Sequence, residues 1–310
     1  YSLVLMTNKK LVGVRDPYGI RPLVIGKLKE SYIFASETCA LDIVGANFVR
    51  EVENGEIIII ENGNLKSIKP FPKQKPRPYI YFARPDSLIN GSCAYEYRKK
   101  LGAQLALETD VNADLVVPVP DSGVPAALGF SEKSKKIFEL GLIRNHYVGR
   151  TFIEPSQSIR SLGVKLKLST TKTLVKNKSI ILIDDSLVRG TTCHKIVKML
   201  YENGAKEVHV RIACPEIKFP DYYGVDMPTK EELLAHKKNN AEMCDYIKAK
   251  SLKFLSLDGL YLALTGEKRN TNYPQFSDHY FTGDYPIKPH DSLKGLKIKQ
   301  LSLLSSKSSS

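Results

Sequence analysis

The sequence predicts an α/β protein in two parts, short antiparallel strands followed by a parallel sheet flanked by helices. Three observations predict it. Residues 1–70 break into strand-like runs with turn punctuation and one helical interruption. Residues 69–78, "KPFPKQKPRP", set four prolines and four basic side chains in ten positions, which resists regular structure and marks a connector. Beyond it strands and helices alternate and the strands are continuously apolar, the pattern of a parallel sheet covered on both faces.

In order, "YSLVLMT", "KLVGV", "PLVIGKL", "SYIFAS", "EIIIIENG" and "NLKSIK" read as strands, and "ETCALDIVG" as a helix among them. In the second part "YEYRKKLGAQLALE" is helix-periodic, and "ADLVVPVP", "KIFELGLIR" and "SIILID" are strands. "TTCHKIVKMLYENG" is a helix closed by Gly204, and "EVHVRIAC" is the next strand. Helices follow around "TKEELLAH" and "AEMCDYIKAK", then a strand "LKFLSL" and a helix "DGLYLALTG". The boundaries expected are 1–70, a connector 71–78, a second domain 79–285 and a tail 286–310 whose "LSLLSSKSSS" is of low complexity. No internal repeat occurs.

Composition narrows the class. The chain has 310 residues with 42% hydrophobic content, enough to bury real cores. No apolar run has the length of a membrane span, and "YSLVLMTNKK" lacks the order of a signal peptide, so a cytoplasmic location is expected. The opening on Tyr1, inside a strand-like run, reads as a fragment. Five cysteines (Cys39, Cys93, Cys193, Cys214, Cys244) stand far apart with no C-x-x-C, which points to reduced thiols. The net charge of +13 comes from 34 lysines against 12 arginines without a dense basic block, so a solvated surface is favoured over a nucleic-acid face, and an anionic small substrate suits the field. The six histidines, His146, His194, His209, His236, His279 and His290, lack ligand spacing.

The stretch "SIILIDDSLVRGTT", 179–192, carries the chemistry. Ligands of open parallel sheets bind beyond the carboxyl ends of the strands, where Asp184 and Asp185 stand. After them Gly190 supplies a tight turn, Ser186, Thr191 and Thr192 supply hydroxyls, and a helix start supplies free N–H groups, which together favour a phosphate. Carboxylates facing a phosphate would repel it, so they face sugar hydroxyls or a divalent cation. The plainer use of such a pair is to cap the next helix. A Walker loop is excluded because no G-x-x-x-x-G-K-[ST] occurs, and no G-x-G-x-x-G supports a dinucleotide fold.

"ILIDDSLVRGTT" resembles the phosphoribosyl pyrophosphate (PRPP) loop of type I phosphoribosyltransferases. That implies that Asp184 and Asp185 contact the ribose hydroxyls while Ser186, Val188, Arg189, Gly190, Thr191 and Thr192 wrap the 5′-phosphate. "RDPYGIRPL" (15–23), "YFARPDS" (81–87) and "RNHYVGRTFIEPSQ" (144–157) narrow the resemblance to the glutamine PRPP amidotransferases, from the first residue to about residue 285. The implied fold is a type I phosphoribosyltransferase domain preceded by the C-terminal part of an N-terminal-nucleophile glutaminase domain. The implied reaction, the first step of de novo purine synthesis, replaces the pyrophosphate of PRPP with glutamine-derived ammonia to give 5-phosphoribosylamine.

The resemblance assigns further residues. "PVPDSGVP" (118–125) matches the pyrophosphate loop, with Asp121, Ser122 and Gly123 on substrate and Ser122 joining Asp184 and Asp185 as ligands of Mg2+. Arg150 and Lys167 match cationic positions of the flexible lid, in a segment that also carries Arg144, Arg160 and Lys165. Ile153 and Tyr79 match positions on an ammonia path. The glutaminase nucleophile of the family is a terminal cysteine with its own amine as base. This chain begins with Tyr1, and Cys39 sits inside "SETCALD", so the segment given is expected not to hydrolyse glutamine. Iron–sulfur members hold their cluster through four cysteines, whereas Tyr273, Phe276 and Asp221 stand at matching positions, so no cluster is expected. Purine nucleotides are expected inhibitors and a homo-oligomer the assembly, with neither membrane nor nucleic acid as partner. Two other readings stay open, a PRPP-sensing regulatory protein with a basic face for nucleic acid, and a nucleobase salvage enzyme.

Overall fold

A computed structural model describes residues 1–71, 83–89, 91–145, 168–225 and 229–287. Arg150, Ile153, Arg160, Lys165, Lys167, Tyr79 and His146, and with them most of the expected lid, lie outside the described residues.

The first part is built from β1 (Ser2–Met6), β2 (Lys10–Arg15), β3 (Val24–Leu28), β4 (Ser31–Ala35), α1 (Thr38–Val44), β5 (Asn47–Glu51), β6 (Ile57–Glu61) and β7 (Asn64–Ile68). They form two antiparallel sheets, β1-β2-β6-β7 and β4-β3-β5. Leu23, Ile25, Val52 and Ile58 are buried between the sheets with Tyr32, Phe34, Ile60 and Leu65 around them. In this part β5 is the strand that the sequence reading missed. "NFVRE" is half polar and its pairing with β3 shifts register between Ile25 and Gly26, so it carries no clean alternation.

In the second part β8 (Leu88–Ile89) and β9 (Ser92–Cys93) pair ahead of α2 (Ala94–Glu108). Then come β10 (Leu115–Pro118), α3 (Val124–Ser134), β11 (Ile137–Phe138), β12 (Leu142–Arg144), β13 (Leu168–Thr170), α4 (Lys172–Val175), β14 (Ser179–Asp184), α5 (Thr191–Glu202) and β15 (Glu207–Ile212). A 3-10 turn at Lys230–Glu232, α6 (Leu234–Lys237), α7 (Asn240–Ile247), β16 (Ser251–Phe254), α8 (Leu257–Thr265) and α9 (His279–Thr282) complete it. In this part β8, β9 and β13 were missed by the sequence reading as well. The order β11-β10-β14-β15-β16 is parallel at every pairing.

Burial on both faces explains the continuous apolar strands. Ile180 and Leu182 of β14 pack with Ile196, Val197 and Leu200 of α5, while Ile181 and Ile183 pack with Leu101, Leu105 and Phe130 of α2 and α3. No described helix is long and apolar enough to cross a membrane.

Two local expectations needed correction. "KIFELGLIR" is two strands: β11 closes the parallel edge, and β12 leaves it to pair antiparallel with β13. The break falls at Gly141, whose N–H donates to the Glu139 carbonyl (2.9 Å) in a turn too tight for a continuous strand. "TKEELLAH" divides into the 3-10 turn and α6, because Leu233 between them is extended.

The two parts meet at the start of α1. Glu37 Oε2 accepts from the Arg84 amide (2.9 Å) and the Ser87 hydroxyl (2.7 Å), and Thr38 Oγ1 accepts from the Leu88 amide (2.9 Å). Ile20, from "RDPYGIRPL", is buried in the main core of the parallel part.

Candidate active site

The chain leaves β10 and β14 side by side, which sets two loops against each other. Val119 N–H donates to the Ile183 carbonyl (2.8 Å), extending the ladder one step past the strands. Gly123 then passes so close that a Cβ there would lie 2.5 Å from the Ile183 carbonyl oxygen, so glycine is the residue that fits. Ser122 consequently stands across from the Asp184 carboxylate, near enough to favour its charged form. The structure thus brings together Ser122, Asp184 and Asp185, which are 62 or more positions apart in sequence at one end and adjacent at the other.

The acid pair opens the turn into α5. Asp184 Oδ1 accepts from the Asp185 amide (2.9 Å), and Ser186 Oγ donates to Asp185 Oδ1 (3.1 Å). Gly190 has φ of +74°, the left-handed region, and a Cβ there would strike Leu234 at 2.6 Å, so both conformation and space call for glycine. No side chain caps the first turn of α5, which leaves its amide groups and the exposed hydroxyl-bearing Thr191 and Thr192 facing outward, a suitable arrangement for a phosphate. Val188 packs against the core, and its carbonyl accepts from the Leu234 amide (2.9 Å).

Burial dominates the electrostatics. It pushes the Asp184 carboxyl up to about 7 despite the hydrogen bond from the Asp185 amide and the nearby Ser122 hydroxyl, and Asp185 up to about 6. Two arginines near the loops are paired with acids. Arg144, at the end of β12, holds Asp121, and Arg189 Nη2 lies 2.7 Å from Glu232 Oε2. Sequence reasoning missed both pairings, since neither spacing is local. Glu232 gave no signal beyond helix-forming composition.

Several singled-out residues lie elsewhere. His194 Nδ1 meets the Tyr246 carbonyl (3.0 Å). Cys39 is a buried thiol on α1, and burial pushes the Cys193 and Cys214 thiols up. Asp221 is buried against His279 Nε2 (2.6 Å), Phe276 packs on Tyr261, and Tyr273 is exposed. In "RDPYGIRPL" the acid and the first arginine hold the turn itself. Arg15 donates to the carbonyls of Gly19, Arg21 and Val52, and Asp16 accepts from the Tyr18 and Ile20 amides.

The donor set suits a hard divalent ion. Among the described residues no three His, Cys, Asp or Glu side chains gather for a metal, so an ion here rests on Asp184, Asp185, the Ser122 hydroxyl and oxygens of a substrate or water. Mg2+ takes that mixture of ligands.

A parallel five-stranded sheet, an acid pair where its central strand ends and a hydroxyl-rich turn into the next helix define a type I phosphoribosyltransferase domain. An amidophosphoribosyltransferase of Rhizobium etli is 54% identical over 99% of this chain, and a chloroplastic one of Glycine max is 49% identical over 97%. Among solved structures, a glutamine PRPP amidotransferase from B. subtilis complexed with ADP and GMP superimposes with a TM-score of 0.85 at 44% identity, covering 93% of this chain and 64% of that one. No family model matches the chain. The chain belongs to the amidophosphoribosyltransferase family, and it spans 64% of the Rhizobium relative and 52% of the Glycine relative.

Proposed function

We propose that the protein displaces pyrophosphate from C1 of PRPP with ammonia drawn from glutamine, giving 5-phosphoribosylamine and opening de novo purine synthesis. The observation that carries the reading is the meeting of Ser122 with Asp184 at the carboxyl ends of neighbouring parallel strands, beside an uncapped helix start. In this reading Asp184 and Asp185 accept from the ribose hydroxyls, and Ser186, Val188, Arg189, Gly190, Thr191 and Thr192 enclose the 5′-phosphate with amides and hydroxyls. Asp121, Ser122 and Gly123 line the pyrophosphate side. Breaking the C1–O bond builds negative charge on the leaving group, so donors and cations matter more than a base. Mg2+ would be held by Ser122, Asp184 and Asp185 and would offset part of that negative charge. Arg150 and Lys167 would offset more of it, and no iron–sulfur cluster takes part.

Purine nucleotides are proposed as inhibitors, on the ground that the B. subtilis relative is complexed with ADP and GMP. A soluble cytoplasmic homo-oligomer is the assembly that we propose. The test is pyrophosphate release from PRPP with Mg2+ and ammonium. Release that depends on ammonium and falls on the order of a hundredfold or more in Asp185→Asn supports the reading. Release that requires an added purine or pyrimidine base assigns the protein to salvage instead, and full release by Asp185→Asn overturns the site.

A further inference from the structure

Glu232 has no place in the reaction just proposed, yet it sits on the phosphate loop. Its carboxylate Oε2 is 2.7 Å from Nη2 of Arg189, the longest side chain of the turn 186–192. The contact is not isolated. Two residues on, the Leu234 amide donates to the Val188 carbonyl (2.9 Å), and the Leu234 side chain fills the space that a Cβ on Gly190 would need. Tyr246 lies on the same glycine, and its carbonyl oxygen is 3.0 Å from His194 Nδ1. The stretch from the 3-10 turn to α7 therefore backs the loop at Val188, Arg189, Gly190 and His194.

We propose that Glu232 is a positioning residue for the phosphate loop, acting through Arg189, an inference that rests on the reading of 186–192 as the site for the 5′-phosphate. Both side chains are about half exposed, 55% for Arg189 and 49% for Glu232, so the pair adds little to global stability. Its value is directional. An arginine on an exposed turn samples many rotamers, and holding Nη2 on a carboxylate fixes the plane of the guanidinium, so that its remaining N–H groups meet a phosphoryl oxygen in a set orientation. Backbone contacts at Val188 and Gly190 hold the turn that carries this arginine. The carboxylate orients the side chain.

The test compares the protein with Glu232→Gln, Glu232→Asp, Arg189→Ala and the double variant Arg189→Ala/Glu232→Gln. Equilibrium binding of PRPP with Mg2+, ammonium-dependent pyrophosphate release and thermal melting are measured for each. E232Q is expected to raise Kd and KM for PRPP about three- to fivefold, the range an exposed ion pair carries, with kcat within about twofold and an unchanged melting temperature. E232D recovers part of the loss, and E232Q costs nothing further in the R189A background. Binding by E232Q equal to or tighter than wild type, an additive loss in the double variant, or a fall in melting temperature that accounts for the change overturns the inference while leaving the site standing. Wild-type protein that binds no PRPP overturns the reading of the site, and this inference with it.

Discussion

Asp184 holds the sharpest consequence at the scale of single residues. Burial raises its carboxyl to about 7, well above the value of a free aspartate, so the ligand-free fold prefers it protonated. The sign follows: a raised carboxyl favours the fold below about pH 4 and loses that contribution as pH rises through about 7. Asp184→Asn removes the titration, so at pH 8 the ligand-free variant should be more stable than the parent by about 2–4 kcal/mol, and the two should converge only near pH 4. Thermal melting across that range checks it, and parallel curves count against a buried acid. Substrate binding runs the other way. In the function proposed, a cation and ribose hydroxyls need the ionised pair, so affinity for PRPP with Mg2+ should fall as pH drops below 6 to 7, with proton release on binding seen by calorimetry in two buffers of different ionisation enthalpy.

Among elements, α2 and α3 decide where the Asp121–Gly123 loop stands. Gly102 and Gly129 allow the helices to touch backbone to backbone; a Cβ on Gly129 would lie 1.9 Å from the Lys99 carbonyl oxygen and one on Gly102 would lie 1.8 Å from that of Ala126. Gly129→Val forces them apart, at a cost of about 1–3 kcal/mol, and moves the start of α3 against β14. A lower melting temperature together with a raised KM for PRPP is the expected pair of results. Loss of stability with KM unchanged would show the loop to be set by β10 alone. The parallel sheet was legible because burial on both faces writes itself into runs such as "SIILID". The acid pair and its turn were legible for the same reason, since the run ends abruptly in charge and small residues. The partners were not. Ser122 to Asp184, Arg144 to Asp121 and Glu232 to Arg189 are joined by strand order and by packing of separated segments, which no local period records. β5 escaped because a half-polar edge strand with a register shift leaves no alternation to read.

For the molecule as a whole the question is how an antiparallel part and a parallel part are kept in register, given that the reaction proposed needs ammonia delivered from one to the other. Among the described residues the contact includes a small set of polar groups beside the burial of Ile20. Glu37 accepts two hydrogen bonds from the segment ahead of α2, one of them from the Ser87 hydroxyl, which is 1% exposed, and Thr38 accepts a third. Glu37→Ala strands that buried hydroxyl and leaves the exposed Arg84 amide to water, a cost of about 1–3 kcal/mol confined to the junction. Each part has its own buried cluster, so neither core should loosen. Hydrogen exchange separates the outcomes: the amides of Arg84 and Leu88 should exchange faster in E37A, while those of Ile181 and Ile183 within β14 keep their protection. Uniformly faster exchange would mean that the two parts unfold as one unit and that this junction belongs to a shared core. Unchanged exchange at Arg84 would mean that the burial of Ile20 against the parallel part is enough to hold them.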